Sequence, residues 1–414
     1  MKNNAIKNIN DFPSFAHFKK QTRTQLEASR SFFLMEDYEI IVFSHLRWDF
    51  VFQRPQHIIG RLAQTKKVLF VEEPVQGAKE TVLYFPSKNI AVLQPNIVWD
   101  NLAMELAPLV EEAASELEFK NPILWFYSAG FAGVIPYMHN YSLIVYDCMD
   151  ELSAFKGANA DMHTKEQMLL SHADIVFTGG KSLYESKKQI HQNVFCFPSS
   201  VEREHFEPAL NKEFKVPKDI AGIPRPIVGF YGVLDERLDT ELLKQLSEAR
   251  PEYSFVLIGP VVKISKEDLP QAPNIYYLGE KKYKDLPAYL QEFDIAFMPF
   301  ALNASTKFIS PTKTLEFMAA GKPIVSTAIY DVARDYEREV FVAKTMDEFA
   351  EGLDYFVSEP AVAMHGRFEL QQEVLRKTSW NKTVKEMRKI ISHTLRERRK
   401  AKSGNYGYAL PNAA

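Results

Sequence analysis

The sequence predicts an α/β protein built from two Rossmann-like domains that face a cleft. Short, almost entirely apolar segments alternate with longer helical patterns, which is typical of a parallel sheet covered on both faces. This alternation occurs twice, before and after a polar stretch that begins near residue 199. With 414 residues, the chain is also long enough to form two domains.

Each domain is expected to contain a series of short buried strands. Helical segments such as "RPQHIIGRLAQ", "TELLKQLSEA" and "DLPAYLQEF" lie between them. Sheets of this kind bind ligands at the carboxyl ends of their strands, so the cleft is the expected ligand site. The strands are predicted at 39–44, 67–73, 122–127, 142–147, 174–179 and 193–198, and then at 226–232, 253–259, 274–279, 293–300, 323–327 and 339–344.

Four segments are predicted along the chain. Residues 1–37 form an N-terminal extension in which "HFKKQTRTQLEASRSFF" fits an amphipathic helix. Residues 38–198 form the first domain and residues 199–378 the second. Residues 379–414 form a C-terminal helix and a basic tail, which is either a solvated helix end or a patch that touches anionic lipid.

Charge and cysteine usage limit the partners and the compartment. A formal net charge of −3 argues against nucleic acid as a partner. Cys148 and Cys196 lie in or beside apolar runs and are expected to be reduced core residues of a cytoplasmic protein. The polar start does not resemble a signal peptide, and no apolar run approaches the roughly 20 residues that span a bilayer. Any membrane contact is therefore expected to be peripheral, at the inner face.

The stretch "SPTKTLEFMAAGKPIVST" predicts a short helix followed by a buried strand. Ser310 is a suitable N-cap, Pro311 suits the first helical position, and Gly321 suits the end of the helix. Lys313 and Glu316 are three residues apart and so share one helix face near an anion-attracting N-terminus. Such a face could hold a ligand that carries both phosphate and hydroxyl groups, such as a nucleotide sugar. A surface ion pair is the simpler alternative.

The order of motifs resembles a known group of enzymes. The second half runs "GFYGVLDERLD", "LIGP", "DLPAYLQEFD", "MPF" and "SPTKTLEFMAAGKPIVST", which closely resembles the nucleotide-binding half of GT-B glycosyltransferases around glycosyltransferase family 4. In the first half, "FSHLRWDFVFQRPQHIIGRLA" and "LIVYDCMDELSAF" look like a bacterial subgroup of cell-surface polysaccharide pathways. The resemblance covers about residues 38–395. It implies the GT-B fold, with C-terminal helices that cross back to the N-terminal domain.

The resemblance also implies a donor site for a nucleoside diphosphate sugar in the second domain. A glycine turn after the first strand lets backbone approach phosphate. Arg237 lies where the family usually places a lysine for the diphosphate, and Glu316 lies where a glutamate bonds the ribose hydroxyls. Phe308 departs from the pattern, because many members carry a second glutamate there. The predicted donor-binding residues are Gly232, Arg237, Pro311, Thr312, Lys313 and Glu316.

The catalytic prediction rests on the loop after the strand "LIVYD". An inverting transfer needs a general base for the acceptor hydroxyl. Asp147 and Asp150 both fall at the carboxyl end of this strand, and Asp150 is the preferred base because Asp147 could be needed to fix the turn. Asp150 equally suits an N-cap of the following helix. Inverting and retaining stereochemistry both remain open.

The polar and aromatic loop after the first strand is the predicted site of acceptor or sugar recognition. Trp48 could stack on a sugar ring, with His45 beside it. Arg54 and His57 open the next helix, where cations and N–H groups could meet the phosphate of a lipid-linked acceptor. A capped loop around a packed tryptophan is the alternative.

The resemblance implies a hexosyltransferase, which is expected to need no metal and no other cofactor. No compact carboxylate, histidine or cysteine cluster has standard metal-site spacing. The expected reaction moves a sugar from a nucleoside diphosphate sugar to a glycan or lipid-linked acceptor. A nucleotide-sugar 2-epimerase is an alternative, which the long aromatic loop disfavours. A non-catalytic binding protein is another, supported by Phe308 and opposed by the intact Arg237, Lys313 and Glu316.

Overall fold

The computed structural model describes residues 38–75 and 80–404. The expected extension at residues 1–37, with its amphipathic helix, and the tail beyond residue 404 lie outside this part of the chain. The described residues form two sheets flanked by helices, and the predicted fold class is confirmed.

The first sheet has eight strands in the order β3-β4-β2-β1-β5-β6-β7-β8. Its neighbours pair in parallel except for β3 and β4, which are antiparallel. This pair is absent from the sequence-based prediction, whereas the other strands were expected. The strands are β1 Ile40–Ser44, β2 Val68–Glu72, β3 Val82–Ser87, β4 Ile90–Gln94, β5 Ile123–Phe126, β6 Leu143–Cys148, β7 Ile175–Thr178 and β8 Val194–Cys196.

The second sheet has six strands in the order β11-β10-β9-β12-β13-β14, and all of its pairs are parallel. Every strand expected in this half is present. The strands are β9 Ile227–Tyr231, β10 Ser254–Ile258, β11 Ile275–Tyr277, β12 Ile295–Met298, β13 Ile324–Thr327 and β14 Phe341–Ala343.

Helices connect the strands and cover both sheets. Short 3-10 turns interrupt several connections, at Trp99–Asn101, Ala129–Tyr137, Leu152–Ala154, Glu207–Asn211, Lys266–Asp268 and Tyr283–Asp285. The α-helices are α1 Arg54–Leu62, α2 Leu102–Glu116, α3 Met162–His172, α4 Lys181–Lys187, α5 Arg203–Phe206, α6 Thr240–Ala249, α7 Leu286–Leu290, α8 Thr312–Ala319, α9 Tyr330–Asp335, α10 Met346–Val357, α11 Ala361–Lys377 and α12 Trp380–Gly404.

The last helix crosses back onto the first sheet. Trp380 and Met387 of α12 are fully buried in the same apolar cluster as Ile58 and Ile59 of α1. This cluster covers one face of the first sheet, and a second cluster that includes α2 and α3 covers the other. The C-terminal helix therefore completes the core of the N-terminal domain.

Helix α8 differs slightly from its prediction. It begins at Thr312 with Pro311 at the N-cap position, so the prediction of Ser310 as N-cap and Pro311 as first helical residue is wrong by one residue. The reason is that Pro311 has extended backbone torsions. The predicted end is confirmed, because Gly321 has a φ of 64°. The Lys322 N–H then bonds the Phe317 carbonyl at 3.0 Å, which satisfies the end of the helix.

Polar contacts join α4 of the first domain to α9 of the second. Asp331 accepts hydrogen bonds from the Ser182 amide at 3.3 Å and from its hydroxyl at 3.1 Å. Lys181 pairs with Asp335 at 2.6 Å. A Cβ on Gly180 would lie 2.6 Å from the Asp331 carboxylate, so the glycine permits this approach. These contacts hold the two domains together beside the cleft.

Candidate active site

A cavity of about 830 Å³ lies between the carboxyl ends of the two sheets. Loops after β1, β6 and β7 line it from the first domain, and loops after β9, β10 and β11, with the start of α8, line it from the second. Most of the predicted site residues meet here, whereas Asp147, His45 and His57 do not line the cavity. The predicted residues that line it are Trp48, Arg54, Asp150, Gly232, Arg237, Pro311, Thr312, Lys313 and Glu316.

Gly232 makes room for Lys313. A Cβ at position 232 would lie 2.3 Å from the Lys313 Cε, so any other residue would displace this lysine. The Lys313 ammonium lies 5.8 Å from the centroid of the Phe230 ring. The glycine turn after β9 and the N-terminus of α8 thus form one surface around a half-buried cation.

Glu316 is a buried carboxylate one helical turn from Lys313. Tyr231 donates a hydrogen bond to its Oε2 at 2.8 Å. Burial raises the pKa of Glu316, and the Lys313 charge and the Tyr231 hydroxyl lower it. Burial lowers the pKa of Lys313, and Glu316 raises it. A cation and a hydrogen-bond acceptor are therefore fixed side by side, which suits a ligand that carries phosphate and hydroxyl groups.

Arg237 is held in place by its neighbour Asp235. The Arg237 Nε and Nη2 both donate to this carboxylate, at 3.0 and 2.7 Å. Asp235 is buried. In the described part of the chain Nη1 has no hydrogen-bond partner, so this donor of a cavity-lining residue remains available to a ligand. Sequence reasoning did not single out Asp235, although it lies in the quoted "DER" motif.

Asp150 reaches the cavity from the opposite side. Burial raises the pKa of this carboxyl, and Arg237 lowers it. The adjacent Glu151 pairs with the buried Lys187 at 2.7 Å, which anchors the loop. Glu151 stands at the N-cap position of the turn Leu152–Ala154. The alternative of Asp150 as a helix N-cap is therefore wrong.

Asp147 lies behind the cavity surface. It is fully buried, and the Arg54 Nε and Nη2 approach its Oδ1 at 2.9 and 2.8 Å. The Arg54 Nη1 donates to the Phe197 carbonyl at 2.7 Å. Burial and this ion pair keep Asp147 from contact with a substrate, so the prediction of a catalytic role is corrected to one of holding Arg54. Arg54 itself lines the cavity with most of its donors already engaged.

The two predicted histidines do not reach the cavity. His57 is buried and stacks on Trp380 of α12, with ring centroids 4.7 Å apart. Burial and the Arg61 charge lower its pKa. Burial and the Lys263 charge lower the pKa of His45 to about 4, so that imidazole is neutral at pH 7. The prediction of ligand contact is therefore wrong for His57, because the last helix covers it, and His45 lies outside the cavity lining.

Aromatic residues close the cavity on another side. Phe52, from the loop before α1, stacks on Tyr283 of the second domain with centroids 4.4 Å apart. Tyr283 also stacks on His205 at 4.4 Å. The sequence offered no signal for Tyr283, because its contacts come from three separate segments.

The loop before α8 is ordered by its own side chains and packs on the first domain. Asn303 accepts hydrogen bonds from the Ser305 and Thr306 amides at 3.0 and 3.2 Å, so its side chain orders its own loop. Phe308, at the departure from the family pattern, packs against the apolar core of the first domain. Lys307 lies 5.3 Å from the centroid of that ring. Phe308 thus contacts the other domain, and Asn303, Lys307 and Phe308 do not line the cavity.

Residues 38–75 and 80–404 lack two further features. They contain no cluster of three or more histidine, cysteine, aspartate or glutamate side chains placed to hold a metal ion. In the same ranges no helix has the length and apolar character needed to cross a bilayer.

The two facing domains and their motifs define the class. The chain has the GT-B fold and is similar to group 1 glycosyltransferases. A family model described as glycosyl transferase-like matches residues 237–389. TuaH of Bacillus subtilis (strain 168), assigned as a glycosyltransferase of teichuronic acid biosynthesis, is 24% identical over 301 residues, which span 67% of this chain and 74% of TuaH. These matches confirm the resemblance and identify a transferase.

Solved structures share the fold. Sucrose-phosphate synthase from Thermosynechococcus elongatus aligns with a TM-score of 0.67 and 14% identity, covering 86% of this chain and 98% of that one. Anabaena HepE, solved in complex with UDP and glucose, aligns with a TM-score of 0.62 and 12% identity, covering 86% and 99%. At 14% and 12% identity, these similarities show the shared fold alone.

Proposed function

We propose that the chain transfers a sugar from a nucleoside diphosphate sugar to a glycan or lipid-linked acceptor in surface polysaccharide biosynthesis. One observation carries this proposal. The predicted donor residues of the second domain and Asp150 of the first domain line opposite sides of a single cavity. Transfer needs a donor and an acceptor hydroxyl to be held in this way.

The second domain would bind the donor. Arg237 and Lys313 meet the diphosphate together with the N-terminus of α8, and Glu316 accepts hydrogen bonds from the ribose hydroxyls. These cations neutralise the charge that develops on the leaving diphosphate, so no metal is required. HepE was solved with UDP, so UDP and its sugars are the first donors to test.

The first domain would bind the acceptor. In an inverting reaction Asp150 takes the proton from the acceptor hydroxyl. The oxygen of that hydroxyl then bonds to the anomeric carbon of the donor sugar as the bond from this carbon to the diphosphate breaks. Trp48 lines the cavity and offers an aromatic surface to a sugar ring. Arg54, held by Asp147, adds positive charge near the same wall.

The proposed acceptor class is supported by the relative TuaH, which is assigned to teichuronic acid biosynthesis. We place the enzyme in the cytoplasm at the inner face of the membrane, where the exposed basic residues Lys382, Lys385 and Arg396 of α12 contact anionic lipid. Sedimentation with vesicles of phosphatidylglycerol and phosphatidylcholine tests this contact. Binding that needs the anionic lipid and falls in a Lys382→Glu/Lys385→Glu variant is the expected result, whereas equal recovery with neutral vesicles would contradict it.

Thermal unfolding tests the donor site. UDP, GDP and their sugars, in EDTA, are expected to raise the melting temperature by mass action if one of them binds. Glu316→Ala should abolish the shift, whereas Glu351→Ala, an exposed glutamate of α10, should keep it. No shift with any nucleotide in a folded sample would favour a non-catalytic binding protein. Conversion of a nucleotide sugar to its 2-epimer would favour the epimerase.

A further inference from the structure

Phe155 lies where the two halves of the site meet. It follows the turn Leu152–Ala154, in the same loop of the first domain as Asp150. Its ring centroid is 5.4 Å from the Arg237 Cζ and 4.7 Å from the Lys263 Nζ. Both cations belong to the second domain. Phe155 does not line the cavity, so its contact with the donor site runs through these side chains.

Each of the two cations lies beside a carboxylate of the second domain. Asp235 and Glu236 are consecutive residues after β9, and each pairs with one cation. Asp235 binds Arg237 through two nitrogens, and the Glu236 Oε1 lies 3.7 Å from the Lys263 Nζ. Lys263 has a φ of 65°, a left-handed conformation that non-glycine residues adopt at a cost, often at functional sites.

The loops that carry these charges are joined to each other. The Leu234 N–H donates to the Pro260 carbonyl at 2.9 Å, and the Val262 N–H donates to the Leu234 carbonyl at 3.0 Å. Phe155 therefore meets a preformed surface, and its contacts constrain where that surface stands relative to the first domain.

The other end of the Asp150 loop is also fixed. Lys187 is buried and pairs with Glu151 and Glu166, each at 2.7 Å. Asp150 thus directly precedes the Glu151 ion pair with its own domain, and Phe155, four residues after Glu151, contacts the opposite domain. A loop held at both ends sets the separation of Asp150 from Arg237.

We propose that Phe155 is a positioning residue. It orients Arg237 for the diphosphate and sets the distance between Arg237 and Asp150. This inference rests on the proposed donor role of Arg237. A cation over an aromatic face is attracted by the ring quadrupole, so the ring restrains the guanidinium that Asp235 holds from its edge. An aromatic residue outside the cavity is therefore expected to control nucleotide affinity.

The test measures the affinity for UDP by calorimetry. GDP replaces UDP if GDP, and not UDP, raises the melting temperature in the thermal unfolding experiment. Phe155→Leu, or Phe155→Met if that variant does not fold, should weaken binding about three- to tenfold. Phe155→Tyr keeps an aromatic face and should stay within about twofold. Phe119→Leu, a half-buried phenylalanine packed on the core of the first domain, is the matched control and should change nothing.

A double-mutant cycle separates this inference from the proposed function. In an Arg237→Ala background, Phe155→Leu should have no further effect on nucleotide affinity, because the guanidinium that the ring is proposed to position is gone. If Phe155→Leu alone leaves affinity within twofold, or its effect adds in full to that of Arg237→Ala, the positioning role is overturned. If Arg237→Ala itself binds UDP like the wild type, the donor-site assignment fails instead.

Discussion

The buried Tyr231 hydroxyl donates a hydrogen bond of 2.8 Å to the buried Glu316 carboxylate. Tyr231 ends β9 and Glu316 lies in α8, so this bond ties the strand before the glycine turn to the helix that carries Lys313. It occupies one carboxylate oxygen and directs the carboxylate toward the cavity. The residue proposed to hold the ribose is therefore oriented before any ligand arrives.

Tyr231→Phe tests this orientation. Loss of one hydrogen bond to a buried carboxylate is expected to cost roughly 1–3 kcal/mol of unfolding free energy. Nucleotide affinity should fall with it, because Glu316 loses its fixed direction. Urea unfolding and calorimetry with UDP measure the two effects. Tyr277→Phe, which removes a hydroxyl that bonds the Pro270 carbonyl, is the control. Unchanged nucleotide affinity in Tyr231→Phe would contradict the proposed preorganisation.

Asp150→Asn is expected to lower turnover by about 10²–10⁴-fold while nucleotide binding persists. Burial raises the pKa of the Asp150 carboxyl above its ordinary range. A base acts only when deprotonated, so wild-type turnover should fall as pH drops, and it should begin to fall at a higher pH than for an exposed aspartate. Sugar release from the donor, followed across pH, gives the profile. If the turnover of Asp150→Asn still falls at low pH as in the wild type, a group other than Asp150 is responsible for the pH dependence.

The buried Arg54–Asp147 pair should be costly to break. Removal of one partner leaves an uncompensated buried charge, so Arg54→Met and Asp147→Asn are each expected to lose about 3–5 kcal/mol of stability. Lys165→Met removes a partner from the more exposed Lys165–Asp161 pair and should change stability by less than about 1 kcal/mol. Chemical denaturation compares the three. A loss in Arg54→Met no larger than in Lys165→Met would show that the pair is not structural.

Glu73 gives a prediction about pH and stability. Burial raises the pKa of this carboxyl to about 7, against smaller lowering effects of Arg47 and Lys263. Because the folded pKa exceeds the unfolded one of 4.5, the folded state favours the protonated form. The stability from this group is present at low pH and is lost as pH rises from about 4.5 through 7.

Glu73→Gln should therefore match the wild type at pH 4 and exceed it at pH 8, by roughly 1–2 kcal/mol. Melting temperatures between pH 4 and 8 give the comparison. The exposed Glu112→Gln serves as control, with parallel curves expected. If Glu73→Gln runs parallel to the wild type as well, the burial of this carboxyl is not what couples stability to pH.

The sequence predicted what depends on neighbours along the chain. Lys313 and Glu316 share a helix face because of their spacing, and Gly321 ends that helix for a local reason. The β3–β4 pair was missed because its antiparallel pairing interrupts the expected strand–helix alternation.

Contacts between distant segments could not be predicted. Asp147 was predicted at the carboxyl end of a strand, and its pairing with Arg54, 93 residues earlier, explains how its charge is buried. His57 appeared to open a helix toward phosphate, yet Trp380 from the last helix covers it. Local patterns thus indicated which loops build the site, while the partners of individual side chains depended on the tertiary fold.

The return of α12 to the first domain has a consequence for synthesis. Trp380 and Met387 pack in the same buried cluster as Ile58 and Ile59. The ribosome adds Trp380 and Met387 long after β8, the last strand of the first sheet. At about 5–20 residues per second, the ribosome takes on the order of tens of seconds to add the intervening chain. During that interval the first domain exposes an apolar face that only the final helix can cover, so the nascent chain is a natural client for chaperones. Ribosomes stalled before residue 380 should display an N-terminal domain that proteases still cleave.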